Sequence, residues 1–299
     1  MTGLLRALLI VFLLLAPPAR ASSIALLMAD NSAPYQEFSE ELQRVLQGSD
    51  WQIRHFFLGN DNSPLSADLI ITVGSEALPA GLARRVPGTP LLASLLPRAG
   101  YTRALADNRR NDRVSAIVLD QPSNRLTALM RHLLPGTERF GLLHSSETRS
   151  ELPVLRRTFN LAGYSLDSEA VDSDISLLPA LDALLPRIDV LVAIPDSQLY
   201  RRETIKPLLI TTYRYRRPLI AFSPALVKAG ALAALYSSPG QIGRQTGELI
   251  LNRGNNLPPP QSPTYYSITI NQSVADAFNL AMGDESAIYR ALLADRTAQ

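Results

Sequence analysis

Three short apolar stretches in the second half of the chain decide the fold: IDVLVAI (188–194), RRPLIAF (216–222) and GALAALY (230–236). Each is followed by a polar loop and then by a segment in which apolar residues recur at helical spacing. Strands of a parallel sheet that is covered by helices have this appearance, because neither face needs polar residues. The stretches therefore predict neighbouring parallel strands of an α/β fold.

The polar loops after these stretches are expected to lie together. They are PDS (195–197), SP (223–224) and YSSPG (236–240). The carboxyl ends of neighbouring parallel strands meet at one edge of the sheet, and open α/β sheets bind their ligands at that edge. A binding cleft is therefore the first functional hypothesis.

The chain passes through the alternation of strand and helix twice, with a pause at DQPS (120–123). The segment NRGNNLPPPQSP (252–263) can form neither a helix nor a central strand, and it is interpreted as a linker. We predict an α/β protein with two Rossmann-like lobes, each a parallel sheet flanked by helices.

Two segments near the end of the chain carry narrower expectations. The predicted helix at 241–252 places Gly243 and Gly247 four residues apart, which lets a neighbouring element approach closely. The tail at 283–299 is compatible with a helix, but nothing in its sequence demands packing.

The first 21 residues predict a secretory leader. An apolar stretch at 7–16 is closed by two prolines and followed by ARA (19–21), the pattern of a cleavage site after Ala21. The stretch is about half of the ~20 residues that a spanning helix needs. The leader holds Arg6 and Arg20 and no acid, so the formal net charge of +2 falls to zero in the mature chain. We expect a soluble, periplasmic protein.

The composition excludes several kinds of chemistry. The chain has no cysteine, so it has no disulfide, no thiolate metal site and no cysteine nucleophile. It also has no phosphate-binding glycine loop and no metal-binding histidine motif. Scattered arginine pairs, balanced by nearby acids, favour a solvated surface over a nucleic-acid surface. We therefore predict a non-enzymatic protein without metal, cofactor or nucleic-acid partner.

A serine hydrolase stays open as one alternative. The stretch VGSEA (73–77) follows a predicted strand but lacks the second glycine of a nucleophile elbow. His144 stands beside Ser145, an arrangement that suits a polar ligand contact as well as a general base. Such an enzyme would use Ser75 or Ser145 together with His144.

Small polar residues follow most of the predicted strands and form the candidate ligand-binding set. Taken singly, each is explained by helix capping, which is worth about 1 kcal/mol. Together they would converge on one crevice, where helix N-terminal N–H groups favour a carboxylate or another anionic group. The positions are Asn31, Ser32, Ser75, Glu76, Ser94, Ser145, Ser146, Glu147, Asp196, Ser197 and Ser223.

The stretch 188–254 resembles the periplasmic substrate-binding components of uncharacterised ABC transport systems, a family with the type I bilobed periplasmic-binding-protein fold. The similarity rests on LVKAGALA (226–233), IGRQTG (242–247) and LNRG (251–254), and LLPGTERFGLL (133–143) resembles the start of that family's second lobe. The resemblance implies ligand contacts at Ser75, Glu76, 145–147, Asp196, Ser197 and Ser223. It also implies a hinge position for Tyr236, which we include among the candidate ligand contacts. The resemblance further implies a three-crossing hinge between the lobes, with boundaries of 22–119 plus 237–262 for lobe 1 and 120–236 plus 263–299 for lobe 2.

The chain departs from this family at two points near the expected cleft. SSPG (237–240) stands where relatives carry an acidic or aromatic pair, and the first-lobe loop lacks the usual proline. The identity of the ligand therefore does not follow from the resemblance.

These observations lead to an exported binding protein whose two lobes close on a small molecule of unknown class and deliver it to an ABC permease. The alternative is an orphan bilobed protein that senses a ligand or docks a receptor in the inner or outer membrane, with a regulatory role. The changed loop at 237–240 favours this alternative.

Overall fold

A computed structural model describes residues 22–59, 63–106 and 112–298 of the 299-residue chain. The predicted leader lies outside the described residues. Two mostly parallel β-sheets, each flanked by helices, organise the described part. The predicted α/β class is confirmed.

The first sheet contains five parallel strands. They are β1 (Ser22–Met28), β2 (Trp51–Phe57), β3 (Leu69–Val73), β4 (Leu91–Leu96) and β5 (Val114–Val118), in the order β2-β1-β3-β4-β5. Strand β3 is buried at every position, so its sequence LIITV shows no polar alternation. The helices that follow its strands are α1 (Ala33–Leu46), α2 (Ala77–Arg84) and α3 (Arg98–Ala106).

The second sheet contains six strands, of which only the last runs antiparallel to its neighbour. They are β6 (Arg139–His144), β7 (Ser165–Ala170), β8 (Val190–Val192), β9 (Leu219–Ala221), β10 (Ala233–Tyr236) and β11 (Ser267–Ile270), in the order β11-β10-β9-β8-β6-β7. The three apolar stretches are the adjacent strands β8, β9 and β10, as predicted.

Most of the remaining helices surround the second sheet. They are α4 (Ser123–Leu133), α5 (Leu152–Leu161), α6 (Leu177–Leu184), α7 (Arg202–Arg214), α8 (Pro224–Ala229), α10 (Gln272–Ala277) and α11 (Glu285–Ala294), while α9 (Pro239–Arg253) packs on α1 beside the first sheet. Short 3₁₀ turns lie at Arg149–Glu151, Asp174–Ser176, Leu185–Arg187 and Arg296–Ala298.

The chain passes between the two sheets three times: between β5 and α4, between β10 and α9, and before β11. Before the last passage, Gln261 pairs with Ile117 at the edge of the first sheet. We call the part around the first sheet unit 1 and the part around the second sheet unit 2. That the units move as lobes with the boundaries given above stays a prediction.

The packing of α9 on α1 confirms the close approach expected from its glycines. A Cβ atom on Gly243 would lie 2.4 Å from the backbone oxygen of Phe38, and one on Gly247 would lie 2.6 Å from Val45. Only hydrogen atoms fit at these two positions. The glycines therefore fix α9 against unit 1, although the chain reaches α9 directly from unit 2.

The tail packs more closely than the sequence suggested. Helix α11 buries Ile288 and Leu292 in the core of unit 2 and contacts α4. Just beyond α11, Asp295 accepts hydrogen bonds from Arg131 and His132 of α4. A pattern of two buried apolar residues was too sparse to indicate this packing from the sequence.

Candidate ligand-binding cleft

A cavity of about 380 Å³ lies between the units, at the carboxyl ends of strands from both sheets. Unit 1 contributes the loops after β1 and β4, and unit 2 contributes the loops after β8, β9 and β10. The lining residues are Pro34, Tyr35, Leu95, Pro97, Leu119, Pro195, Asp196, Ser197, Tyr200, Phe222, Ser223, Pro224, Tyr236, Ser237 and Pro239. The structure thus brings the three polar loops of the second sheet to one cavity.

Aromatic rings form much of the wall of this cavity. Tyr35 comes from unit 1, and Tyr200, Phe222 and Tyr236 come from unit 2. The rings of Tyr200 and Phe222 meet edge to face, with their centroids 5.2 Å apart. Of these four residues, only Tyr236 was a predicted ligand contact. The sequence pattern used for the prediction was that of small polar residues after strands, which gives no signal for aromatic residues nearby.

Leu95 enters the cavity wall through a local irregularity of β4. The register between β4 and β5 shifts between Ser94 and Leu96, and Leu95 has a positive φ of 55°. A bulge of this kind re-aims side chains, and a positive φ is uncommon for a branched residue. Ser94, a predicted ligand contact, is fully buried instead, with its hydroxyl 3.3 Å from that of Thr246 in α9.

Asp196 holds the cavity wall together. Its buried carboxylate accepts five hydrogen bonds, in which both oxygens take part. The donors are the N–H and hydroxyl of Ser145, the hydroxyl of Thr148, and the N–H groups of Gln198 and Leu199. Asp196 therefore ties the loop after β8 to the loop after β6 and caps its own turn.

Glu147 joins the two units across the cleft. One carboxylate oxygen lies 2.9 Å from the guanidinium of Arg103 in α3, and the other accepts hydrogen bonds from the N–H and hydroxyl of Ser197. The Glu147 side chain is only 2% exposed, whereas that of Arg103 is 54% exposed. This ion pair holds the units against each other in the structure described here.

The other predicted positions of unit 2 also have partners within the protein. The Ser145 hydroxyl donates to Asp196, and the exposed Ser146 hydroxyl lies 3.4 Å from Gln198. Ser223 caps α8, and the Tyr236 hydroxyl lies 3.2 Å from that of Thr269. Of the predicted unit 2 positions, Asp196, Ser197, Ser223 and Tyr236 line the cavity.

The predicted positions of unit 1 lie outside this lining. Asn31 and Ser32 are exposed and precede the cavity residues Pro34 and Tyr35. Ser75 and Glu76 are exposed in the loop before α2, and neither belongs to the lining. Unit 1 instead reaches the cavity through apolar and aromatic side chains.

A second cavity, of about 420 Å³, lies on the hinge side of the first. Three residues line both cavities and therefore lie between them: Leu119, Pro195 and Phe222. The second cavity contains the carboxyl group of Asp120, which accepts a 2.6 Å hydrogen bond from the N–H of Arg98. Burial raises the pKa of Asp120 to about 6, against the opposing effect of Arg98.

Hydrogen bonds connect the three passages between the units. The Gln121 side chain donates to the Ser237 hydroxyl at 2.9 Å, and Ser237 in turn donates to the backbone oxygen of Tyr265 at 2.5 Å. Arg125 donates to Gln121 and to the backbone oxygen of Pro263. Ser237 belongs to the loop in which this chain departs from its apparent relatives, so this part of the departure lies at the hinge.

The side chains of Ser145 and His144 do not form the hydrogen-bonded pair that the hydrolase alternative needs if Ser145 is its nucleophile. The Ser145 hydroxyl donates to Asp196, and the side-chain contact recorded for His144 is with the backbone oxygen of Ser145, 3.3 Å from Nδ1. Within the described ranges, no three histidine and carboxylate side chains are grouped so that they could hold a metal ion. No helix in those ranges is long and apolar enough to cross a membrane.

Comparison with known protein families identifies one family that matches this chain. The profile of the family described as ABC transporter substrate binding protein matches residues 115–282, more than half of the chain. The chain belongs to this family. The match spans all of the second sheet and α9. None of the curated proteins compared with the chain matches it.

Solved structures support the type I periplasmic-binding-protein fold. The ligand-free, open structure of a substrate binding protein with adhesive properties from Clostridium difficile superposes with a TM-score of 0.65 at 16% identity, covering 88% of this chain and 96% of that one. The ABC domain in complex with L-Trp from Streptococcus pneumonia gives a TM-score of 0.62 at 14% identity, covering 90% and 98%.

A regulatory protein shares the fold as well. The xylose-binding transcription activator xylR gives a TM-score of 0.53 at 16% identity, covering 89% of this chain and 72% of that one. At these identities the likeness concerns the fold alone. The family membership carries the functional statement: this chain is a member of a family of substrate-binding proteins.

Proposed function

We propose that this protein is an exported solute-binding protein that closes its two units on a small molecule and delivers it to an ABC permease. The observation that carries the proposal is the cavity between the units, because it joins strand-end loops of both sheets. Its volume of about 380 Å³ suits a small molecule. The family membership supports the link to ABC transport.

The periplasm is the proposed location. Family membership and the leader pattern at residues 1–21 support this proposal together. Amino-terminal sequencing of the exported protein tests the leader, with Ser22 expected as the first residue. Retention of residues 1–21 would contradict it.

A thermal-shift screen of the mature protein tests ligand binding. The compounds are amino acids, nucleosides, sugars, small anions and neutral aromatic molecules. A ligand at 100 times its Kd stabilises the native state by about 2.7 kcal/mol, so a genuine ligand raises the melting temperature. A flat screen would count against a solute-binding role.

A pair of phenylalanine variants locates the binding site. Phe222→Ala removes a ring from the cavity wall, whereas Phe278→Ala removes a ring that packs against Tyr213 elsewhere in unit 2. The compound found in the screen is expected to bind the first variant several-fold more weakly and the second normally. Normal binding by Phe222→Ala would place the ligand outside both cavities that Phe222 lines, and equal loss in both variants would indicate a general effect on the fold.

The second candidate function is regulation, in which ligand binding changes docking to a membrane receptor. The fold likeness to xylR and the position of Ser237 in the hinge network favour it. Uptake of the radiolabelled compound by cells with and without the gene separates the two candidates. Unchanged uptake in cells without the gene supports regulation, and lost uptake supports transport.

A further inference from the structure

The N–H groups of the loops after β6 and β8, beside the cleft, are already bound by carboxylates of the protein. Such groups were expected to attract an anionic ligand. Instead, Asp196 accepts from the N–H groups of Ser145, Gln198 and Leu199, and Glu147 accepts from that of Ser197. The protein therefore fills, with its own side chains, the positions at which an anion would bind.

The same arrangement occurs in unit 1 and at the hinge. The Glu37 carboxylate accepts from the N–H of Gly240 at the first turn of α9, at 2.9 Å. Asp120 accepts from the N–H of Arg98 at the start of α3. Helix N-termini are favourable sites for negative charge, and here protein carboxylates supply that charge.

The lining of the cavity leaves no charged group for a ligand. Asp196 is the only carboxylate or basic residue among the described lining residues, and five donors surround it. The Ser197 hydroxyl donates to Glu147, and the Ser237 hydroxyl donates to the backbone of Tyr265. An anion in this cavity would lose its hydration without gaining a counter-ion, because no basic residue belongs to the lining. A cation would meet only the Asp196 carboxylate, whose oxygens already accept five hydrogen bonds from the protein.

The entrance from unit 1 adds negative charge. The pKa of Tyr35 is raised by burial and by the charges of Asp30 and Glu76. These carboxylates are therefore close enough to the ring to act on it, and they disfavour the approach of an anion. The wall that unit 1 contributes behind them consists of one ring, prolines and leucines.

We infer that the ligand of this cavity is an uncharged molecule with a planar, largely apolar ring system that packs between Tyr35 of unit 1 and the Tyr200–Phe222 pair of unit 2. The inference rests on the proposed function, since it names the ligand chemistry of the same cleft. Apolar contact with both units provides the differential affinity that favours the closed form.

Fluorescence titration with N-phenyl-1-naphthylamine, an uncharged aromatic probe, tests this inference. We expect saturable binding at one site per protein. Three naphthalene compounds then compete with the probe: the uncharged 1-naphthalenemethanol, the cation 1-naphthylmethylammonium and the anion 1-naphthoate. Since the rings match, differences report charge, and both ions should compete at least about tenfold more weakly than the alcohol.

Two tyrosine variants show where the probe binds. Tyr35→Ala removes the ring contributed by unit 1 and is expected to weaken probe binding about fivefold. Tyr215→Ala removes a ring that lies outside both cavities, beside Asp182, and should leave probe binding unchanged.

Three results would overturn the inference: an ion that competes as well as the alcohol, a probe that does not saturate, or a Tyr35→Ala variant that binds the probe normally. A charged metabolite that is found in the thermal-shift screen and binds Tyr35→Ala more weakly would refute only the inference on charge, because Tyr35 lines the first cavity and not the second. The proposed solute-binding function would then stand, so the two failures are distinguishable.

Discussion

Two buried carboxyl groups on either side of Leu119 have different surroundings. Asp196 accepts five hydrogen bonds from the two loops that it joins in the wall of the first cavity. Asp120 lies in the second cavity, where burial outweighs the hydrogen bond from Arg98 and raises its pKa to about 6. Asp196 therefore stabilises the cleft wall, whereas keeping Asp120 ionised in its buried position costs free energy.

The raised pKa of Asp120 predicts a pH dependence of stability. Its contribution to the free energy of unfolding is fully present below the ordinary pKa of 3.8 and is lost as the pH rises through about 6. Asp120→Asn keeps an acceptor for the Arg98 N–H without the charge. Urea unfolding at several pH values should show this loss in the parent protein and its absence in the variant. Parallel pH profiles would refute the assignment.

The hydroxyl of Tyr200 is buried without a hydrogen-bond partner among the described residues. Burial, followed by the charge of Asp196, raises the pKa of Tyr200, so the phenol stays neutral. An unsatisfied buried hydroxyl costs about 1–3 kcal/mol. Tyr200→Phe should therefore raise the free energy of unfolding by about 1 kcal/mol in urea titrations. Tyr101→Phe is the control, because its hydroxyl donates to Val114 and its loss should not stabilise the protein.

Among the elements, α9 connects sequence pattern to architecture most directly. The chain leaves β10 of unit 2, passes the hinge at Ser237 and packs its glycines on α1 of unit 1. If α9 packed less closely on α1, a gap would remain between the two helices. The contact would then lose the close packing that stabilises it.

A substitution at Gly243 measures this packing. Gly243→Ala places a methyl group against the backbone oxygen of Phe38, which cannot move aside, and should destabilise the protein by about 2 kcal/mol. Gly100→Ala in α3 meets nothing closer than 3.7 Å and should be neutral or stabilising by about 0.5 kcal/mol. The measurement is chemical denaturation, and equal stability of the two variants would contradict the packing described.

For the whole molecule, the relation between the two units controls the cleft. The units are connected by the hinge network around Gln121 and Ser237 and by the Arg103–Glu147 ion pair. An ion pair between units contributes only when they are close together, so we expect it to stabilise the proposed closed form. The proposed ligand would add to that stability.

Glu147→Gln tests the ion pair, because glutamine keeps an acceptor for Ser197 and removes the charge. An ion pair of this kind is worth up to about 1 kcal/mol, so the ratio of closed to open molecules should fall about fivefold. Small-angle scattering of the ligand-free variant should give a larger radius of gyration. Asp189→Asn removes a comparable pair with Arg139 inside unit 2 and should leave the radius unchanged. An unchanged radius in Glu147→Gln would refute the proposed role.

The amino-acid sequence was sufficient to predict the α/β class, the adjacency of β8, β9 and β10, and the close packing of α9. These features follow from local rules: buried parallel strands are apolar throughout, and a helix contact that excludes a Cβ atom requires glycine. The resemblance to binding-protein families also rested on continuous segments such as IGRQTG (242–247).

The contacts of each polar loop residue depend on the folded arrangement of the chain. Asp196 and Glu147 were candidate ligand contacts by position, yet they bind N–H and hydroxyl groups about 50 residues away in the chain. Tyr35, Tyr200 and Phe222 form the cavity wall together, although they come from different loops and different units. Hydrogen-bond partners and ring contacts between distant segments leave no local pattern, so the chemistry of the cleft was decided by the folded arrangement.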